Sequence, residues 1–387
     1  MEARRASPAL TPEERREVTL ANWRLRPFST WSFQHVAEVV PSAVIPGSGA
    51  AEPEVAPLGA LAEIEVSHHA AGAMPLPAFL DAAESDAFVV MRRGEITAEW
   101  YAPTCDPLAP HIIFSVSKSV TGLLAGALAG AGLLDFAAPV ARYIPEAEGS
   151  AFGDATVDQL IDMAVSIDFD ESYLDKTGAF DRYRRATLWN PERPGAAGED
   201  LKGFLCTIPK GDWPQGARHE YRSPDTDMAA LVFEAASGRR FADLLAEYVW
   251  GPTGAQGPLH YTVDRLGAPR AAGGLSMRAR DLARLGEMMR VNPPGPLQDW
   301  IAAIWAGGDR ARWAAGNQKA YYKGGSYRAF WYETGQGELA GMGVHGQWLW
   351  IDRARETVIA RLSTEAQPID EALDMSVIAM LRAVAAA

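Results

Sequence analysis

A serine and a lysine three residues apart, Ser115 and Lys118 in Phe114-Ser-Val-Ser-Lys-Ser-Val-Thr-Gly122, stand at the head of the apolar run Val120 to Leu134. A serine hydroxyl attacks a carbonyl carbon only when a base removes its proton, and a lysine serves as that base when desolvation or nearby charge lowers its pKa. Three-residue spacing puts both side chains on one helical face. Of 36 basic residues only six are lysines, so a lysine kept at this position is not a generic cation; an arginine there could not deprotonate. Ser115 is therefore the candidate nucleophile and Lys118 its candidate general base. The bland alternative for Ser115 is a helix cap. Thr207 and Lys210 repeat the spacing, but Pro209 and Gly211 mark a loop and the match is read as chance.

A second element is His219-Glu-Tyr-Arg-Ser-Pro-Asp-Thr-Asp227. Tyr221 is placed to relay protons between Ser115 and a departing group, since a phenol near a cationic lysine ionises more easily. Ser223 is a candidate to hydrogen-bond Lys118 or substrate, against the alternative of an N-cap before Pro224. The third element, Gly341-Met-Gly-Val-His-Gly346, has the form GxGxxG but continues into Trp348-Leu-Trp-Ile351, a strand pattern, so no dinucleotide site is expected. Small residues there let substrate lie against a strand edge, with a backbone N–H completing an oxyanion hole.

The order SxxK, Tyr-x-Ser, then a glycine-rich strand before a C-terminal helix resembles the SxxK serine hydrolases of the β-lactamase and penicillin-recognising fold. Gly273-Gly-Leu-Ser-Met-Arg-Ala-Arg-Asp-Leu-Ala-Arg-Leu-Gly286 also looks like that family, and the likeness spans about residues 75 to 385. Within it, Asn22-Trp to Pro41, Phe114-Ser-Val-Ser-Lys and Gly343-Val-His-Gly-Gln are similar to the 6-aminohexanoate-dimer hydrolases and related carboxylesterases. The resemblance implies Ser115 as nucleophile, Lys118 as general base, Tyr221 as proton relay, and the backbone amides of Ser115 and Val344 as oxyanion donors. It also implies Tyr173 closing over the substrate and Trp189 as a pocket wall, with ordinary packing the alternative for Trp189. The chain departs from the family at the third motif, where Gly341-Met-Gly343 replaces Lys-Thr-Gly. Lys176-Thr-Gly178 lies in the wrong order and is read as chance. His345 is a candidate to replace the lost cation in part, against the reading of a satisfied structural histidine. The departure directs expectation away from β-lactams and towards a small ester or linear amide, with an acyl-enzyme on Ser115. An acyltransferase or β-lactamase-like reaction is the alternative, and a non-catalytic relative a further one.

These residues need elements to hold them. Ala87 to Tyr101 reads as a hairpin turning at Arg93-Gly94; Asp154 to Met163, Pro224 to Ser237 and Ala279 to Met289 read as helices. Tyr327 to Glu333, Gly343 to Ile351 and Thr357 to Leu362 read as strands, and Ile369 to Val384 as a closing helix. Strands at both ends around a helical middle predict one sheet assembled from both ends of the chain, with a helical lobe inserted. The resemblance implies that this is an α+β, β-lactamase-like fold, an antiparallel sheet flanked by helices plus an inserted, mostly helical lobe. The expected division is an N-terminal arm over residues 1–55, packed through Trp23, Phe28, Trp31 and Phe33, and a hydrolase domain over 56–387. Within that domain, one lobe comprises about 56–110 and 255–387, the helical lobe about 111–254.

A length of 387 residues allows burial of roughly three quarters of the unfolded surface. A net charge of -13 without a basic stripe argues against nucleic acid. Cys105 and Cys206 are too few for a disulfide framework. Met1 to Pro8 alternates charge and has no apolar h-region, so a cytoplasmic chain is expected. Val120 to Leu134 is too short to span a bilayer and reads as a core helix. No GxSxG, HExxH or P-loop pattern occurs, and the seven histidines are scattered, so no metal and no cofactor are expected. The expected partner is a small ester or amide, with a homodimer left open as the assembly.

Overall fold

The Arg93-Gly94 turn sets the central hairpin. Both residues take positive φ, 52° and 86°, as a two-residue type I′ connection requires. In the computed structural model, residues 10–195 and 197–387 are described. The reading of Met1 to Pro8, and that part of the arm, lie outside them. In chain order the strands are β1 (Ser42–Ile45), β2 (Glu65–His68), β3 (Gly72–Pro75), β4 (Ser85–Arg92), β5 (Glu95–Tyr101) and β6 (His111–Ile112). After a long helical stretch come β7 (Leu259–Thr262), β8 (Leu275–Met277), β9 (Ser326–Arg328), β10 (Trp331–Glu333), β11 (Glu338–Gly343), β12 (Gln347–Asp352) and β13 (Thr357–Ser363).

Seven strands form one antiparallel sheet in the order β5-β4-β13-β12-β11-β10-β9, so both ends of the chain contribute to it. This is the expected α+β, β-lactamase-like architecture. Strands β12 and β13 are buried along their whole length, because the closing helix Glu371–Ala386 and the helix Ala279–Val291 pack against the sheet. A second antiparallel sheet, β1-β7-β8-β6, was not foreseen. Its strands have two to four residues, too short for a period-2 pattern to show.

Two strand expectations need correction. Tyr327 to Glu333 is a tight hairpin, β9 to β10, turning at Ala329 and Phe330, whose φ values are 51° and 64°. Gly343 to Ile351 is the end of β11, a turn at 344–346, and most of β12. In both, apolar residues run through the turn, so hydrophobicity alone does not mark it.

The helix Val116–Gly130 runs through the core, buried from Val116 to Leu128. A Cβ at Gly122 would fall 2.0 Å from the carbonyl oxygen of Ala329, so the glycine lets the helix lie directly against the β9–β10 turn. Among the described residues no helix is long and apolar enough to cross a membrane. Cys105 and Cys206 are free thiols.

Trp23 and Phe33 are wholly buried in a separate cluster with Ile112, Phe114 and Trp189, whereas Phe28 and Trp31 are only partly covered. Trp23→Ala is expected to cost about 3–5 kcal/mol of stability through cavity formation. Urea unfolding monitored by circular dichroism measures it; a loss below 1 kcal/mol would show that the cluster is loosely packed.

Candidate active site

Ser115 sits where β6 passes into the Val116–Gly130 helix, directly after Phe114, whose φ of 40° is left-handed. Such a conformation in a bulky residue costs energy and persists only where packing enforces it. The packing is aromatic: the Phe114 ring lies 6.5 Å from Trp23, 4.9 Å from Phe33, 6.0 Å from Trp189 and 5.3 Å from His345, centroid to centroid. Rings drawn from distant parts of the chain therefore hold the backbone that presents the serine.

Lys118 Nζ and Ser115 Oγ are hydrogen-bonded at 2.8 Å, and Nζ donates to the Ala272 carbonyl at 2.7 Å. Ala272 is itself anchored, its amide donating to Asp227 Oδ1 at 2.7 Å. Asp227 Oδ2 accepts from Arg270 at 2.5 Å and from the Tyr183 hydroxyl at 2.6 Å. Lys118 is 1 % exposed, and burial pulls its pKa down to about 7; Arg270 acts in the same direction, against Glu171, Asp227 and Asp225. Near neutrality a large share of Lys118 is thus the free amine.

Tyr221 is buried beside this pair, with Lys118 Nζ 4.9 Å from its ring centroid, and it lines the same recess as Ser115. The expectation that it ionises easily is reversed. Burial, then Glu171, raises its pKa above the ordinary phenol value, outweighing Ser115 and Arg270. It is a neutral phenol that can pass a proton only by receiving another.

Glu171 was not singled out in the sequence. Its carboxylate accepts from the Tyr173 hydroxyl at 2.8 Å and from the Ser223 hydroxyl and amide at 2.6 Å each. This corrects the reading of Ser223: its hydroxyl is turned to Glu171 and not to Lys118, and it is the first residue of its helix, not a cap. The only signal was its place in Asp168-Phe-Asp-Glu-Ser-Tyr-Leu174, where five acidic or hydroxyl side chains crowd together without a diagnostic spacing.

Two recesses, of about 60 Å³ and about 30 Å³, meet at Ser115 and share Tyr173 and Val344. Tyr221, Tyr321, Tyr332 and Asp374 line the first; Phe114, Trp189, Ser223, His345 and three arginines line the second. Trp189 is both wall and packing, since its Nε1 donates to Thr262 Oγ1 at 3.0 Å. His345 does not replace the missing lysine. Its Nδ1 is within 2.7 Å of the Glu365 carbonyl, and burial, with Arg24, Arg184 and Arg26 beyond, drops its pKa to about 4, so it is neutral.

Among the described residues the amides of Ser115 and Val344 donate to no protein acceptor, and both residues border the two recesses. Gly343 makes this closeness possible: a Cβ there would lie 2.8 Å from the Ile113 carbonyl oxygen and 3.0 Å from the Ser115 nitrogen. Gly343→Ala is expected to destabilise the fold by about 1–3 kcal/mol and, by displacing one amide from the other, to lower kcat/KM by about 10². Ester kinetics beside urea unfolding check both; wild-type kinetics in the variant would detach Gly343 from the site. Among the described residues no three His, Cys, Asp or Glu side chains converge as a metal-ligand set.

Residues 78–381 match the Beta-lactamase family model. The 6-aminohexanoate-dimer hydrolase of Paenarthrobacter ureafaciens is 35% identical over 362 residues, covering 91% of this chain and 89% of that one. A solved Bacillus anthracis protein, provisionally assigned as a 6-aminohexanoate-dimer hydrolase, superposes with a TM-score of 0.86 at 25% identity, over 97% of this chain and 98% of the other. A hydrolase with promiscuous acyltransferase activity shares the fold, with a TM-score of 0.59 at 15% identity, over 80% and 98% of the two chains.

Proposed function

The chain belongs to the beta-lactamase family and is a serine hydrolase, and from that premise we propose that it cleaves small carboxylic esters or linear amides through an acyl-enzyme on Ser115. The observation that carries the assignment is the 2.8 Å contact between Ser115 Oγ and a lysine whose pKa burial has brought to about 7.

In this reading Ser115 Oγ attacks the carbonyl carbon as its proton passes to the free amine of Lys118. The carbonyl oxygen, now an oxyanion, takes the amides of Ser115 and Val344. Tyr221 gives its proton to the leaving nitrogen or oxygen and is reprotonated from Lys118. The bond to the leaving group breaks and the acyl group stays on Ser115. Water then attacks the acyl-enzyme, its proton taken by the same pair, and the acid departs with Ser115 restored. Glu171 positions Tyr173 and Ser223 at the rim of the recesses.

The same proposal takes residues 1–55 as an arm that supports the nucleophile through Trp23 and Phe33, and 56–387 as the hydrolase domain. It takes the cytoplasm as its compartment. A small molecule suits the recesses, and the net charge of -13 disfavours nucleic acid.

Intact-mass analysis during turnover of an activated ester tests it. One acyl adduct is expected, mapping to the peptide that contains Ser115. An adduct on another residue, or turnover that never passes through an adduct under rapid quenching, overturns the assignment.

A further inference from the structure

The smaller recess beside Ser115 is lined by three guanidinium groups, Arg24, Arg184 and Arg270. Arg270 is ion-paired with Asp227, yet its Nε is buried without a partner. Arg24 donates to the Trp189 carbonyl at 2.8 Å and to Asn190 Oδ1 at 2.5 Å, and Arg184 donates to the Tyr173 carbonyl at 2.8 Å. Neither has a carboxylate partner among the described residues. Both lie over aromatic rings, Arg24 4.8 Å from the Trp23 centroid and Arg184 4.3 Å from that of Phe180, but two positive charges without a carboxylate at ion-pair distance repel each other in one recess.

The electrostatics register this. Burial holds Arg184 down at about 10, with Arg270 adding to the effect against Tyr173, Glu171 and Asp181. Burial, then Arg184 and Arg270, lowers Arg24. Past Arg24 and Arg184 the recess continues into a vestibule of about 450 Å³. Its charged lining is five cations, Arg24, Lys176, Arg184, Arg185 and Arg193, against two carboxylates, Asp175 and Asp181. In a chain of net charge -13, a cationic funnel leading to the nucleophile attracts anions selectively.

Resting on the hydrolase reading above, we infer that this recess is a carboxylate-binding subsite for the acyl half of the substrate. The preferred substrates are half-esters or half-amides of short dicarboxylic acids, with the free carboxylate against Arg24 and Arg184. The sidedness follows from Tyr221, which lines the other recess and not this one, so the leaving group that takes its proton departs on that side. An acyl chain ending in an ammonium group would meet like charge.

Three 4-nitrophenyl esters of matched length test this: mono-adipate (anionic), hexanoate (neutral) and 6-aminohexanoate (cationic). The expected kcat/KM for the adipate exceeds that for the hexanoate about tenfold, as one charge-assisted hydrogen bond would give. The 6-aminohexanoate is expected to be the poorest. In Arg184→Gln the adipate-to-hexanoate ratio should fall towards one, and in Arg184→Glu the order should reverse. Because each ratio is taken within one preparation, partial misfolding divides out. Should a variant not fold, wild-type inhibition decides: free adipate must inhibit competitively and more tightly than hexanoate. A wild-type ratio near one, or equal inhibition by the two acids, overturns the subsite while leaving the hydrolase reading intact. Failure to turn over any of the three esters, with no adduct on Ser115, removes both.

Discussion

Ser115→Ala and Lys118→Arg are each expected to lower kcat/KM by on the order of 10⁴ to 10⁶, with the double variant no worse than the worse single one. Nucleophile and base act as a unit, so removing either leaves only binding and oxyanion stabilisation. Arginine at position 118 preserves charge and much of the bulk, but its guanidinium has no lone pair to take a proton at working pH. The pH profile separates this from a packing defect. Lys118 must be neutral to act, and its pKa lies at about 7, so kcat/KM of the wild type should rise with pH through that value and then level. Stopped-flow acylation across pH 5.5–8.5, in buffers of roughly constant ionic strength, measures it. A profile flat across neutrality, or a Lys118→Arg enzyme that retains more than about a tenth of wild-type activity, would take the base role from Lys118.

Tyr221→Phe is expected to split amides from activated esters. An amine leaves only when protonated, whereas 4-nitrophenolate leaves as the anion. The phenol lies in the same recess as Ser115, and its raised pKa keeps the proton available for transfer. Losing it should lower amide turnover by about 10² to 10⁴, the usual worth of a positioned general acid. An activated ester should lose far less. Parallel kinetics on an anilide and a 4-nitrophenyl ester of the same acid read the split directly. Equal losses on both would make Tyr221 a positioning residue for Ser115 and not the proton donor.

These three substitutions probe groups of differing legibility. Ser115 and Lys118 could be paired from sequence because their separation is local, and the same holds for the hairpin at Arg93-Gly94. Helices covering Ser223–Ser237 and Ala279–Val291 were legible to within two residues, since Pro224 and the 3.6-residue pattern mark them. The β1-β7-β8-β6 sheet was not, because its strands are short and come from three separated regions. Nor was Glu171, which matters through three acceptor contacts that the fold brings to one carboxylate.

What the sequence determined by itself is the candidate pair, Ser115 and Lys118, and its order relative to Tyr221 and the glycine-rich β11. Helix geometry makes a three-residue spacing a spatial statement without any tertiary information. The tertiary structure alone decided the electrostatics. Whether Lys118 is a base at neutral pH depends on complete desolvation, which no local pattern reports. The guanidinium groups beside Ser115 come from positions 24, 184 and 270, and only folding places them in one recess. Burial and the long-range Coulomb interaction are properties of the packed chain, so the candidate pair was readable early while the charge lining its recess was not.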